Sequence, residues 1–376
     1  MHIGVLGGGQ LSRMMALAGY PLGLQFTVLD PSPAVCASQV AEHVQADYTD
    51  QAALDDLAQR CDVITWDFEN VPAESVAYLE AKCPVYPARE ALALGQDRWH
   101  EKSLFRELNI ATPKFAMVDT RPDLLAALDD IGLPAVLKTR RMGYDGKGQV
   151  VLRTQEDLEP AWQQLGGQAL ILEQFVSFDF ECSVIGVRSR KGEVAFYPIA
   201  RNRHHRGVLS ISAVPARLPE ALSQQAQAWL QELLERFDYV GVLTLELFVR
   251  GSELLVNEMA PRVHNSGHWS QNGAVTSQFE NHLRAVAGLP LGSCDARGAS
   301  IMLNWIGEMP KVQAFMSIPG LHWHDYGKSA RPGRKVGHAN LVADDLAQLR
   351  ERAQALQPLV TAEQWLHIQE CLGAEV

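Results

Sequence analysis

A short apolar run, His2 to Leu6, leads directly into three glycines and then into a helical pattern of Leu11, Met14, Met15, Leu17 and Ala18. This order dictates strand, tight turn and helix, and it constrains the fold more than any other feature of the chain. Phe26 to Leu29 supplies the next strand, a helical pattern over Gln51 to Arg60 leads into Val63 to Trp66, and another over Pro72 to Lys82 leads into Val85. The alternation predicts an α/β fold with a parallel sheet. Gly7 and Gly9 match the dinucleotide fingerprint, Ser12 stands in place of its third glycine, and Asp30 ends the second strand where a ribose-binding acid would sit. The amides from Gly8 to Leu11 open a helix and can hold an anion of either kind. These residues alone therefore leave three readings: an NAD-dependent oxidoreductase, another phosphate site, and a glycine turn kept for geometry.

With 376 residues the chain exceeds one ordinary hydrophobic core. The texture changes near Arg98 and again near Cys294, so the expected units are 1–97, 98–293 and 294–376. In the middle unit "QALILEQFV", "FECSVIGV" and "EVAFYPI" read as consecutive antiparallel strands, with Lys191-Gly192 as a hairpin turn. A long helix is expected over Pro219 to Phe237, a hairpin around Gly251-Ser252, and a helix over Val275 to Ala287 closed by Gly288.

The net charge of −11 gives no general attraction for nucleic acid or an anionic membrane, so a phosphate must be met by a local cluster. No run approaches the ~20 apolar residues of a membrane span, and a cytoplasmic protein is expected. The six cysteines form no C-x-x-C pair and read as reduced and mostly buried.

Four later stretches carry chemistry. In "LKTRRMGYDGKGQ", Lys138 closes a strand and is followed by a loop in which Gly143, Gly146 and Gly148 let the backbone fold over a polyphosphate while Arg140, Arg141 and Lys147 neutralise it. It is not a P-loop. Glu246 lies inside the apolar strand "TLELFV", where an unpaired carboxylate would cost several kcal/mol or be protonated, and Glu258, beside Asn257, sits at a similar height on the neighbouring strand. Two carboxylates and an amide facing one cavity suit Mg²⁺, although a pair of solvent-facing glutamates fits the same pattern. "NEMAPRVHNSGHWSQNG" packs Arg262, His264, Asn265, Ser266, His268 and Asn272 into one polar segment, a density of donors that points to substrate recognition. "RPGRKVGH", residues 331 to 338, is a compact cationic turn able to bind a phosphate monoester.

The strand-borne lysine, the glycine-rich loop, "ILEQFV" and the late E…N-E pair follow the order of the ATP-grasp fold. Together with "GGGQLSRM", "TWDFENVP", "GYDGKGQ", "NEMAPRVHNSGHWSQNG" and "RPGRKVGH", they make the chain resemble the N5-carboxyaminoimidazole ribonucleotide synthetase family, the biotin-independent carboxylases of purine biosynthesis. The resemblance implies a Rossmann-like N-terminal domain over 1–97, an ATP-grasp domain over 98–293 and a small C-terminal domain over 294–376. It implies an ATP site of Arg98, Lys138, Gly143 to Gln149, Glu173, Gln174, Phe175, Val176, Glu181, His204, Asn257 and Glu258, with Mg²⁺ on Glu246 and Glu258 and Mn²⁺ as an admissible substitute. Tyr144, Asp145, Lys147, Arg262, His264, Asn265 and Lys335 resemble the residues that handle bicarbonate and aminoimidazole ribonucleotide. Gly9, Gln10 and Leu11, with Arg331, Arg334 and Lys335, would hold the ribonucleotide 5′-phosphate. Asp67 and Val263 depart from the family's usual Glu and Pro, and the basic "RNRHHRG" leaves open whether His204 or His205 lines the nucleotide site.

The activity implied is ATP-dependent carboxylation of aminoimidazole ribonucleotide by bicarbonate through carboxyphosphate, in a homodimer. Asp145, His264 and the departing phosphate remain open as acceptors of the amine proton. Formate-dependent purine enzymes and carboxylate-amine ligases share the ATP site and remain the nearest alternatives.

Overall fold

The computed structural model describes residues 1–143 and 146–373. Its first unit is a parallel sheet of β1 (His2–Leu6), β2 (Gln25–Leu29), β3 (Glu42–Val44) and β4 (Val63–Trp66), in the spatial order β3-β2-β1-β4. The helix Gln51–Arg60 falls where the pattern puts it, capped by the Asp50 side chain. Two details differ from expectation. β3 arises from a sequence with little apolar character, and Val85 makes only an isolated bridge to Ile64, since Pro84 and Pro87 remove the donors a longer strand needs.

A small antiparallel sheet follows, made of β5 (Phe115–Val118), β6 (Ala135–Thr139), β7 (Gln149–Leu152) and β8 (Leu170–Gln174) in the order β5-β8-β6-β7. Here the reading of three consecutive antiparallel strands is corrected. β8 is a central strand of this small sheet, buried from Leu170 to Glu173, while only the next two strands form the hairpin through Lys191-Gly192.

The largest sheet has nine strands: β9 (Phe180–Arg188), β10 (Val194–Phe196), β11 (Ala200–His205), β12 (Val208–Val214), β13 (Gly241–Arg250), β14 (Glu253–Ala260), β15 (Ala299–Ile306), β16 (Leu321–Asp325) and β17 (Lys335–Ala343). The order is β14-β13-β9-β11-β12-β15-β17-β16, with β10 beside β9. Since β15 pairs with β12, the sheet runs without a break past residue 294. Strand alternation splits β13 in two: Leu243, Leu245, Leu247 and Val249 pack against the helix Glu220–Arg236, while Thr244, Glu246 and Phe248 face the other way. That helix presents Leu222, Ala226, Leu230, Leu233 and Leu234 on one stripe, the spacing an amphipathic helix requires.

The helices Gln10–Gly19 and Gln278–Ala287 carry the core from the parallel sheet to the large one, so Val5, Met15, Val242, Phe279 and Leu283 belong to one apolar cluster. The second of these helices starts three residues later than expected because Ser277 caps it. No helix among the described residues is long and apolar enough to cross a membrane. Leu247, fully buried between the sheet and its helix, should lose about 2–5 kcal/mol on change to Ala, read as a lower denaturant midpoint at unchanged m-value.

Candidate active site

The glycine turn is filled from within the protein. Gly7 has φ +107°, and a Cβ there would lie 1.9 Å from Asp67 Oδ1, so only glycine fits. Asp67 Oδ2 accepts from Ser12 N at 3.1 Å, and Asp30 Oδ2 accepts from Gly8 N at 2.9 Å and from the Tyr48 hydroxyl at 3.3 Å. The carboxylate a dinucleotide ribose would need is thus turned back onto the turn itself. Gln10 Oε1 accepts instead from Lys328 Nζ, a lysine the sequence did not single out. Burial lowers the Lys328 pKa, and Arg334 and Lys335 add their repulsion, so this lysine at the opening of the helix Gln10–Gly19 has other cations in its neighbourhood. In the turn before β17 the Arg331 N–H donates to Gly307 O, and the Arg334 guanidinium donates to Ser329.

The nucleotide-side residues form a second cluster. Lys138 Nζ donates to Glu173 Oε2 at 2.9 Å, and the fully buried Lys102 approaches the same oxygen at 3.3 Å. Burial works to raise the Glu173 pKa, but Lys102, Lys138 and Arg98 outweigh it and hold the carboxyl at about 2. Lys102 also donates to Asn257 O at 2.9 Å. Asn257 is the residue skipped in a β-bulge of β14, an irregularity common beside functional sites. Arg98 bonds Glu258 at 2.8 Å and reaches Gly143 O at 3.4 Å. Glu101 accepts from Met259 N at 2.7 Å, and burial together with Glu258 raises its pKa to about 8.

The backbone amides of Gln174 and Phe175 are held by Lys114 O and Pro134 O, and Val176 is buried. Gly146 lies against the backbone of Arg206 and Gly207, so the loop ending at Lys147, Gly148 and Gln149 spans from the small sheet to the large one. Tyr144 and Asp145 lie outside the described residues. Arg140 and Arg141, expected to serve the loop as phosphate cations, are tied to Asp97, with Arg140 bidentate at 2.9 Å on both oxygens. They anchor the base of the loop.

Glu246 joins the two sides. It stands opposite Glu258 on β14 and opposite Ser183 on β9. His264 Nε2 lies 2.9 Å from Glu246 Oε1, and His204 Nε2 lies 3.9 Å from its other oxygen. Burial would raise this carboxyl, yet His264, His204 and Lys335 hold it down at about 2. His204 Nδ1 bonds Glu181 at 2.7 Å, which raises the His204 pKa against its burial. His205 turns away to Glu363 at 2.7 Å, so His204 is the histidine on this side. Arg262 pairs with Glu69, and Asn265 and Asn304 exchange amide hydrogen bonds of 3.1 and 2.7 Å. Gln278, missed in the sequence, clamps the His264 backbone by accepting from its N–H at 3.0 Å and donating to its carbonyl at 2.6 Å.

No group of three or more metal-ligating side chains gathers among the described residues. Glu246 and Glu258 nevertheless present two oxygen ligands in register, with the buried Asn257 Oδ1 beside them and unpartnered among the described residues. That donor set fits Mg²⁺, which takes one or two carboxylates and completes its shell with water and substrate phosphates.

Three family models match the chain. Residues 1–96 match the ribonucleotide synthetase preATP-grasp domain, 103–279 the ATP-grasp domain, and 300–352 the phosphoribosylaminoimidazole carboxylase C-terminal domain. A Pseudomonas aeruginosa N5-carboxyaminoimidazole ribonucleotide synthase is 52% identical over 96% of this chain and 100% of its own. The crystal structure of the Thermus thermophilus N5-carboxyaminoimidazole ribonucleotide synthetase has TM-score 0.92 at 53% identity, covering 96% of this chain and 98% of that one. The Aspergillus clavatus N5-carboxyaminoimidazole synthase, solved with ADP and 5-aminoimidazole ribonucleotide, has TM-score 0.87 at 31% identity, covering 95% and 97%.

Four histidines are held neutral, His268, His282 and His338 fully buried and His324 partly so. Burial and charged neighbours lower His268 and His338 well below the usual range and hold His324 at about 4, and burial alone holds His282 at about 4. Such groups stabilise the fold fully above pH ~6.5 and lose that contribution as pH falls toward about 4, because the unfolded chain takes up more protons. The thermal midpoint should therefore fall between pH 6.5 and 4, with His282 accounting for about 1.4 kcal/mol per pH unit. His282→Gln should flatten the slope, and an unchanged slope would contradict this source.

Proposed function

This chain belongs to the N5-carboxyaminoimidazole ribonucleotide synthase family of ATP-grasp enzymes, and on that premise we propose that it carboxylates 5-aminoimidazole ribonucleotide with bicarbonate, converting ATP to ADP and phosphate, as a step of de novo purine synthesis. The observation that carries this reading is the position of Glu246, in register with the nucleotide-side Glu258 and bonded to His264 of the substrate-side segment.

Bicarbonate is a poor electrophile because its oxygens leave badly. Transfer of the γ-phosphoryl group to one of them gives carboxyphosphate, whose phosphate leaves readily. Arg98, Lys138, the 143–149 loop, Glu173 to Val176, Glu181, His204 and Asn257 are the groups suited to receive ATP, and Lys138 and Arg262 oppose the negative charge that spreads during transfer. Glu246 and Glu258 would hold Mg²⁺, which when bound supplies neutralisation of the phosphate oxygens. Carboxyphosphate decomposes in water, so a loop reaching from one sheet to the other is suited to cover it. The exocyclic amine then attacks the carbonyl carbon, phosphate departs, and Asp145, His264 or that phosphate takes the amine proton. The 5′-phosphate is suited to the amides of Gly9 to Leu11, to Gln10 and to the cations Lys328, Arg331, Arg334 and Lys335. A cytoplasmic homodimer is the form in which we expect the enzyme to work, and light scattering of the purified protein checks its assembly.

Phosphate release from ATP, Mg²⁺ and bicarbonate should rise sharply on adding the aminoimidazole ribonucleotide, with loss of its free amine. Release indifferent to the ribonucleotide would leave an ATP-grasp enzyme with another nucleophile. Glu258→Ala should lower kcat by about 10²–10³, as removal of a transition-state contact does, and near-normal turnover would remove the metal assignment. Lys335→Ala should raise KM for the ribonucleotide and leave that for ATP unchanged. Equal losses for both would mean that the phosphate site lies elsewhere.

A further inference from the structure

Three hydroxyls and an amide form a continuous line beneath His264. Ser212 Oγ donates to Asn202 Oδ1 at 2.7 Å, Asn202 Nδ2 donates to Ser183 Oγ at 3.1 Å, and Ser183 Oγ donates to Ser266 Oγ at 2.7 Å. Ser266 Oγ in turn lies 2.8 Å from His264 Nδ1. All four residues of the line are buried, with Asn202 the most exposed at 3%. Ser183, Asn202 and Ser212 come from three separate strands, β9, β11 and β12.

The line has one direction. An amide N–H can only donate, so Ser183 accepts from Asn202 and sends its own proton on to Ser266. Ser266 therefore directs its hydroxyl proton to His264 Nδ1. The backbone N–H of Ser266, also only a donor, reaches the same nitrogen at 3.3 Å. Nδ1 is thus an acceptor from two donors, and the ring proton belongs on Nε2, facing Glu246. With the proton on Nδ1 instead, the Ser266 hydroxyl could turn to accept it, but the Ser266 backbone N–H would meet a second donor and the Glu246 carboxylate would face a lone pair. At the far end Ser212 donates to the oxygen of the Asn202 amide, and the N–H side of that amide meets Ser183.

We propose that Ser183 and Asn202 are positioning residues for the carboxylation site, fixing the tautomer and ring plane of His264 so that its Nε2–H faces Glu246 as a donor, which leaves Asp145 or the departing phosphate to take the amine proton. The proposal rests on the reading of His264 as a site residue. The general physics is that of a fully satisfied buried polar network, in which the other ring tautomer would strand the Ser266 N–H and the Glu246 carboxylate. Second-layer partners of a functional histidine commonly set its tautomer in this way.

Proton-coupled ¹⁵N spectra of histidine-labelled enzyme, with the His264 signal assigned by its loss in His264→Gln, should show the proton on Nε2. Asn202→Asp keeps an acceptor for Ser212 but has no N–H for Ser183, and Ser183→Ala breaks the next link. Each should lower kcat about tenfold, as expected for one buried hydrogen bond, leave KM for ATP unchanged and give a mixed-tautomer His264 signal. Ser183→Thr, which keeps the hydroxyl, should restore kcat. A wild-type ring protonated on Nδ1, or both variants within twofold of wild-type kcat with the signal unmoved, would overturn the proposal. The wild-type spectrum needs no variant to fold beyond the one used for assignment. Undiminished carboxylation by His264→Gln would instead remove the underlying reading of His264 and leave the tautomer result standing.

Discussion

A charged carboxylate in the middle of a large sheet is the constraint around which the rest of this structure is arranged. Glu246 sits between Leu245 and Leu247, both fully buried, and an unpaired charge there would cost several kcal/mol or be lost to protonation. It is retained because His264, His204 and Lys335 converge on it from the segment after β14, from β11 and from the start of β17. Those three elements lie far apart in sequence. Bringing them together requires the nine-stranded sheet to continue from β14 through β12 into β15 and β17, and it does so without interruption.

The same logic repeats around that centre, where long side chains are held before any ligand arrives. Glu173 fixes Lys138 and Lys102, Glu258 fixes Arg98, Asp97 fixes Arg140 and Arg141, and Glu69 fixes Arg262. Each pair joins different parts of the chain, and Glu69 and Trp66 tie the parallel sheet to the substrate segment through Arg262 and Pro261 O. Buried ion pairs of this kind are weak evidence for stability, because desolvation offsets much of their attraction. Their value here lies in orientation: a side chain already held in place need lose little further freedom when a ligand binds.

Local pattern made much of this legible in the sequence. The helix at Gln51–Arg60, the hairpin around Gly251 and the placement of Glu246 opposite Glu258 follow from periodicity and turn chemistry. Sequence left His204 and His205 undecided, since the strand shifts register between Arg203 and His204 and only the folded chain puts His204 beside Glu181 and His205 beside Glu363. What stayed hidden depends on partners distant in sequence. Lys102 looks like a surface lysine of an amphipathic helix until Glu173 and Asn257 are folded against it. Arg140 and Arg141 look like phosphate cations until Asp97 claims them, and Gln278 and Asn202 carry no local sign of their roles. β8 was assigned to the wrong sheet because an apolar run carries no record of which strands will flank it.

The central claim is that this site activates bicarbonate by moving a phosphoryl group onto one of its oxygens before the amine attacks. Turnover with [¹⁸O]bicarbonate tests it directly, by mass analysis of the phosphate released in the presence of the aminoimidazole ribonucleotide. Transfer through carboxyphosphate places one bicarbonate oxygen in each phosphate. Phosphate free of the label would mean that water attacks ATP, and would contradict the account.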